Sequence, residues 1–287
     1  MTGAHARLSL NQATIKYADL ETALRVTGDA GIRSIGLWRE PVAEVGLATA
    51  VQRVADSGLR VSSLCRAGFF TAPAGPIRRQ ALDDNRRAIE ETAALAAAGA
   101  PGSSPVLVLV AGGLPPGSRD LLGARERVRD AIGELHGDAE SSGVTLAIEP
   151  LHPMYAADRA VVSTLGQAID IAEQFGSSVG VVVDTFHIWW DPQVLDQIAR
   201  AGRGGRIASY QVCDWITPLP ADVLLGRGMM GDGHIDFAPI TRAVAAAGYT
   251  GDIEVEIFNQ EIWDASHAEV AERVAETFGA FVAPSLA

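Results

Sequence analysis

An α/β fold, a closed (β/α)8 TIM barrel forming a single domain over residues 1–287, is what the sequence predicts, and three observations carry that prediction. Short β-branched runs alternate along the whole chain with Ala-, Leu-, Arg- and Glu-rich segments of helical periodicity. There are eight such units, the number at which a parallel sheet closes on itself. No linker or shift of composition divides the 287 residues, a length that α/β barrels reach as one domain. An open doubly wound sheet is the alternative, but no G-x-G-x-x-G follows the first strand.

The first strand is expected over 7–11, followed by a helix over 19–30 capped by Asp19. Strand 33–38 leads into helix 42–57, and strand 60–65 into helix 77–99, with Gly99 at its end. Strand 105–111 precedes helix 118–142, which Ser118 opens and Gly143 closes. Strand 145–149 precedes helix 163–175, bounded by Ser163 and Gly176. Strand 179–184 runs into "TFHIWW" before helix 191–201. Between strands 207–213 and 252–258 lie a Gly-rich segment and helix 236–247, with Asp236 as cap and Gly248 as stop. Helix 264–280 completes the eighth unit.

A hydrophobic content of 48% with 20% charged residues supplies a large core. The 35 acidic against 23 basic residues give a net charge of -12, which repels a phosphate backbone and argues against nucleic acid as a partner. No apolar run has the length of a membrane span or of a signal peptide, so a cytoplasmic protein is expected, with no membrane partner. Cys65 and Cys213 lack metal or redox spacing and read as buried thiols.

The polar residues at the ends of the late strands define a candidate site, because the chemistry of such barrels lies at the C-terminal rim. "TLAIEP" ends in Glu149, "VVVDT" in Asp184, and "SYQVCD" and "IEVEIF" carry Gln211 and Glu256 near their ends. Alternation turns Leu146, Ile148, Val255 and Ile257 outward, and Ala147, Glu149, Glu254 and Glu256 toward the axis. Three clustered carboxylates repel unless a cation or protons intervene. A divalent metal held by Glu149, Asp184, Gln211 and Glu256 meets that need, and an all-oxygen set suits Mg2+ or Mn2+ better than Zn2+ or Co2+. Taken singly, each carboxylate could be a helix cap or an ion-pair partner; matching parity on separate strands favours a shared site.

The segments "AIEP", "VVDTFHIWWD", "YQVCDW", "GDGHIDF" and "IEVEIFN" resemble the sugar phosphate isomerase/epimerase superfamily, the xylose isomerase-like TIM barrels. That group includes ketose 3-epimerases, inosose isomerases and dehydratases, 3-dehydroshikimate dehydratases and endonuclease IV. The resemblance implies a metal held by Glu, Asp, His and Glu, with the two glutamates also acting as acid and base. By motif those roles fall on Glu149, Asp184 and Glu256, while Gln211 stands where the epimerases carry His, as in dehydratase-type members. It also implies that His187 contacts substrate or the metal site and that Arg227, in "GRGMMGDG", contacts a substrate oxygen. Dimers or tetramers of the chain are implied in the same way.

His152, three residues after Glu149, is a further candidate hydrogen-bond donor to substrate, and Trp38 a candidate wall of a sugar pocket. Asp158 and Arg159 read as a loop ion pair. Phe69 and Phe70 are placed to cap the pocket or a subunit contact. His234 and Asp214 read as structural.

The expected chemistry is removal of a proton α to a carbonyl of a small sugar-like substrate, giving an enediolate. Its return to the opposite face epimerises, its transfer to the next carbon isomerises, and loss of a β-substituent makes the enzyme a dehydratase or lyase. The first two are the leading reading and the third the alternative. A zinc endonuclease is disfavoured by six histidines and the acidic charge; a non-catalytic sugar-binding barrel is the remaining alternative.

Overall fold

The structure is a computed structural model that describes residues 5–286. Its strands, in chain order, are β1 (Leu8–Asn11), β2 (Ser34–Trp38), β3 (Arg60–Gly68), β4 (Val106–Val110), β5 (Thr145–Glu149), β6 (Val179–Asp184), β7 (Ile207–Val212), β8 (Asp214–Trp215), β9 (Arg227–Gly228) and β10 (Ile253–Val255). Eight of them, β1 to β7 and β10, close a parallel barrel in sequential order, with β10 between β7 and β1. The pair β8 and β9 forms an antiparallel ribbon outside the barrel ladder.

Alternation along the strands produces two distinct interiors. Leu146, Ile148, Val181, Val183, Tyr210, Val212 and Val255 face the helices and share the main core with them. Cys65, Val106, Val108, Ala147 and Val182 form a smaller cluster on the opposite strand faces, inside the barrel. Burial of each such large aliphatic side chain contributes about 1.5–3 kcal/mol. The barrel interior also carries polar residues: Asn11 Nδ2 donates to Glu254 Oε2 (2.8 Å), and both residues are buried. Gly36 leaves room for this pair, since a Cβ there would collide with the Glu254 carboxylate.

The helices are α1 (Leu20–Asp29), α2 (Arg39–Val45), α3 (Leu47–Ser57), α4 (Pro76–Ala98), α5 (Leu121–Ser141), α6 (Leu165–Ala172), α7 (Thr185–Ile188), α8 (Val194–Arg203), α9 (Phe237–Ala246), α10 (Gln260–Asp264) and α11 (His267–Phe281). Asp19 and Asp236 cap α1 and α9 as expected, through the amides of Thr22 and Ala238. Four expectations are corrected. The helix over 42–57 is two helices, because Gly46 adopts φ 79° and breaks the ladder. α5 opens at Asp120, whose Oδ1 accepts from Gly123 N–H, and not at Ser118, which is spent on the amide of Asp120. α6 is capped by Thr164, and it ends at Ala172, before Gly176. The final helix begins at His267, after the separate α10 that Asn259 caps. Cys65 and Cys213 are free and buried.

Candidate active site

The parallel strands deliver their last residues to one rim. Glu149 ends β5 and Asp184 ends β6, and both are buried. Gln211 pairs with Asp184 on one side and Glu254 on the other. Glu256 lies one residue past β10, where its N–H still donates to Val212 O (3.3 Å). Glu149, Glu256, His187, Arg227, Cys65 and Trp38 are on the wall of a cavity of about 250 Å³ that opens at this rim. The donor atoms of Glu149, Asp184 and His187 lie within 4.8 Å of one another, the geometry of a metal-ligand cluster. The other two expected ligands stand outside that group: Glu256 is turned onto Arg227, and among the described residues the Gln211 carboxamide has no hydrogen-bond partner at either atom.

Arg227 reaches the site because β9 folds over the barrel mouth. Asn259 Nδ2 donates to its carbonyl (2.9 Å). The loop that follows is tied down by Asp214, whose carboxylate accepts from the amides of Gly231, Gly233 and Ile235, each at 2.9 Å. The Arg227 guanidinium is buried, with Nη1 2.9 Å from Glu256 Oε2 and 3.4 Å from Asp184 Oδ2. The rings of Phe186 and Phe258 lie 4.5 and 4.8 Å from it.

His187 sits on α7, the single turn that starts at Asp184, whose Oδ1 accepts from Phe186 N–H (2.8 Å). The Nδ1 of His187 accepts from the backbone N–H of His152 (3.1 Å), which leaves the ring proton of the neutral imidazole on Nε2. That Nε2 faces Arg227 Nη2 at 3.1 Å, donor toward donor, and is 3.7 Å from Asp184 Oδ2. An oxygen lone pair is what this pair of donors lacks.

The remaining candidates fall apart spatially. Trp38 is on the cavity wall, with its indole N–H donating to Asn11 Oδ1 (2.8 Å) and its ring edge-on to Phe258. The His152 ring is packed against Trp190 and Trp215, away from the wall, and its link to the site is its backbone amide. Phe69 is exposed at the rim whereas Phe70 is buried. His234 bonds Thr217 Oγ1 (2.8 Å) at the surface. Sequence reasoning passed over Arg66, a cation directly after Cys65 near the end of β3, which is also on the cavity wall.

Burial pushes the Glu149 carboxyl well above the usual carboxylate range, and the charges of Glu256 and Asp184 push it further. Burial also raises Asp184, against the pull of Arg227. Glu256 is raised by burial to about 7 even with Arg227 beside it. His187 is held neutral, first by burial and then by the neighbouring guanidinium. When ionised, the three carboxylates and Arg227 leave two negative charges, matched by one divalent cation. The orphaned Gln211 carboxamide, 1% exposed, offers a neutral oxygen to the same region. Hard oxygen donors with excess negative charge fit Mg2+ or Mn2+, and His187 lies within reach of the same two carboxylates.

An α/β barrel with buried acids gathered at its C-terminal rim is the class that this geometry defines. A family model described as a xylose isomerase-like TIM barrel matches residues 24–278, and the chain belongs to that family. It is 26% identical over 260 residues to an L-ribulose 3-epimerase from Mesorhizobium japonicum, covering 88% of this chain and 80% of that protein. To an inosose isomerase from Halalkalibacterium halodurans it is 26% identical over 152 residues, 52% of this chain and 51% of the other. Among solved structures, a protein from Sinorhizobium meliloti 1021 superposes with a TM-score of 0.91 at 46% identity, over 96% of this chain and 98% of the other. The IolI protein with a bound zinc atom shares the fold, with a TM-score of 0.82 at 21% identity, covering 97% of this chain and 99% of that one.

Proposed function

We propose that the protein is a sugar isomerase or epimerase that acts on a keto sugar or related polyol through an enediolate. In this reading Glu149, Asp184, Gln211 and Glu256 hold a divalent cation, Mg2+ or Mn2+, and Glu149 and Glu256 are the acid and base. The observation that carries it is that two buried carboxyls of raised pKa share one small cavity with a mismatched pair of N–H donors.

The bound ion would polarise a substrate carbonyl and offset the charge that develops as the α-proton leaves. Glu256, paired with Arg227, is the carboxyl that starts ionised and takes the proton. Glu149, on the wall of the same cavity, would return a proton to the carbon from the other side. A substrate oxygen between Arg227 and His187 accepts from both and relieves their donor-to-donor contact. Trp38 supplies an apolar wall for a sugar ring or chain. The L-ribulose 3-epimerase and inosose isomerase relatives support this reading.

Incubation of the metal-loaded protein in D2O with a panel of ketoses and cyclohexanone polyols tests it. Epimers or isomers carrying deuterium next to the carbonyl support the proposal. A new conjugated chromophore assigns the dehydratase or lyase alternative, for which Gln211 in place of His is the sequence signal. Absence of both product and exchange across the panel overturns the reading.

A further inference from the structure

We propose that the substrate carries an anionic substituent, a carboxylate or a phosphate, and that Arg66, seconded by Arg159, receives it at the mouth of the site. The inference rests on the proposed function only for where the reacting carbons lie. Arg66 is half-buried and on the wall of the cavity that holds Glu149 and Glu256. It is equally on the wall of a second cavity, of about 560 Å³, that adjoins the first. Trp38, Arg159, Leu224 and Phe258 are shared by the two, so they form one continuous space with the arginines at its waist.

Among the described residues, Arg66 makes no hydrogen bond and no ion pair to any carboxylate; only the rings of Trp38 (5.6 Å) and Phe69 (5.3 Å) face its guanidinium. In a chain with a net charge of -12, where other half-buried arginines such as Arg39 and Arg60 hold carboxylates, an unmatched guanidinium in a cleft is unusual. Stacking on aromatic faces keeps the planar donor fork extended and leaves its N–H edges free. Arg159 is also under-used. Its Nε is buried without a partner, and Asp158 and Asp222 approach it only to 3.9 Å, beyond hydrogen-bond range. Planar, multiply donating guanidinium groups match carboxylate and phosphate oxygens.

The backbone aims these groups. Phe69 adopts φ 62°, a conformation rare for a bulky residue. Its N–H donates to Val110 O (2.8 Å) and the next amide to Ala111 O (3.0 Å), so pairing with the end of β4 holds the strained turn and projects the ring over Arg66. Strain retained beside a site is commonly functional. The acids Glu40, Glu44 and Asp222 disfavour an anion across the wider cavity, and its amine, Lys16, lies over the Trp263 ring (4.3 Å) and is not on the wall of the first cavity, so Arg66 and Arg159 are the cations common to both.

Calorimetric titration of the metal-loaded protein with two matched pairs tests this: D-fructose against D-fructose 6-phosphate, and D-glucitol against D-gluconate. The proposal expects the anionic member of at least one pair to bind about tenfold tighter or more, the scale of a charge-assisted contact. A preference in the fructose pair alone assigns a phosphate, and one in the glucitol pair alone a carboxylate. Arg66→Gln should abolish the preference and leave the neutral ligand within about twofold, while Arg66→Lys retains part of it. Arg159→Gln should reduce it separately. Equal binding of neutral and anionic members in both pairs overturns the proposal, as does a preference that survives in both glutamine variants. Turnover of neutral sugars without an anion preference would remove this inference and keep the proposed function. An anion preference with no exchange in D2O would do the reverse.

Discussion

Arg227 Nη1 lies 2.9 Å from the Glu256 carboxylate, and its guanidinium is sealed between the rings of Phe186 and Phe258. The contact joins the ribbon over the barrel mouth to the last barrel strand. It also sets the electrostatics of the whole site, because Asp184 and His187 share the same guanidinium.

Removing that cation leaves buried carboxylates without a partner. Arg227→Ala should destabilise the metal-free protein by about 3–5 kcal/mol, the cost of breaking a buried pair from one side. Denaturant unfolding checks this. A change within about 0.5 kcal/mol would show that the pair contributes nothing net.

The raised carboxyls fix the sign of a pH effect. Glu256 stands at about 7 in the folded protein, and Glu149 and Asp184 are raised as well. In the unfolded chain such groups titrate near about 4. The folded state therefore binds protons more tightly, so their contribution to stability is full below about pH 4 and is lost as pH rises through about 7. In EDTA the melting temperature should carry a downward contribution between about pH 5 and 7.5. Saturating Mg2+, which competes with protons for the same oxygens, should flatten or reverse that slope. A curve with the same slope with and without Mg2+ would contradict the account.

Among the described residues, the Gln211 carboxamide has no hydrogen-bond partner. Gln211→Ala should therefore leave the fold intact and weaken Mn2+ binding by about tenfold or more. Gln211→His should shift preference toward Zn2+ by supplying a nitrogen donor. Competition titrations with the two ions check both, and an alanine variant that binds Mn2+ like the native protein would remove Gln211 from the ligand set.

Asp214 organises the loop after Arg227 through three amides. Asp214→Asn should cost about 1.5–3 kcal/mol, the range for hydrogen bonds to a charged group, and should speed proteolysis within residues 216–234. Unchanged cleavage would mean that backbone pairing of the ribbon suffices.

The barrel was legible because most of its strands are apolar or alternating runs, such as VLVLV in β4 and VGVVVD in β6, with the serines of β3 as an exception. Strand parity is equally local, which is why the rim positions of Glu149 and Asp184 could be read from "TLAIEP" and "VVVDT". What escaped depends on contacts distant in sequence. The two-residue strands β8 and β9 have no periodicity to detect, yet they place Arg227. The orientation of His187 is set by an amide 35 positions away. The helix break at Gly46 and the extra turn α10 answer to packing and capping rather than hydrophobic pattern. Arg66 was overlooked because an unmatched cation is recognisable only once its surroundings are known to lack a carboxylate.

The central claim is that the buried acids hold one divalent ion. Calorimetric titration of Mn2+ into metal-stripped protein tests it most directly, with Glu149→Gln measured alongside. The account predicts one saturable ion per chain, and binding weaker by about 100-fold in the variant. No saturable binding, or binding of equal strength in the native protein and in Glu149→Gln, would contradict it.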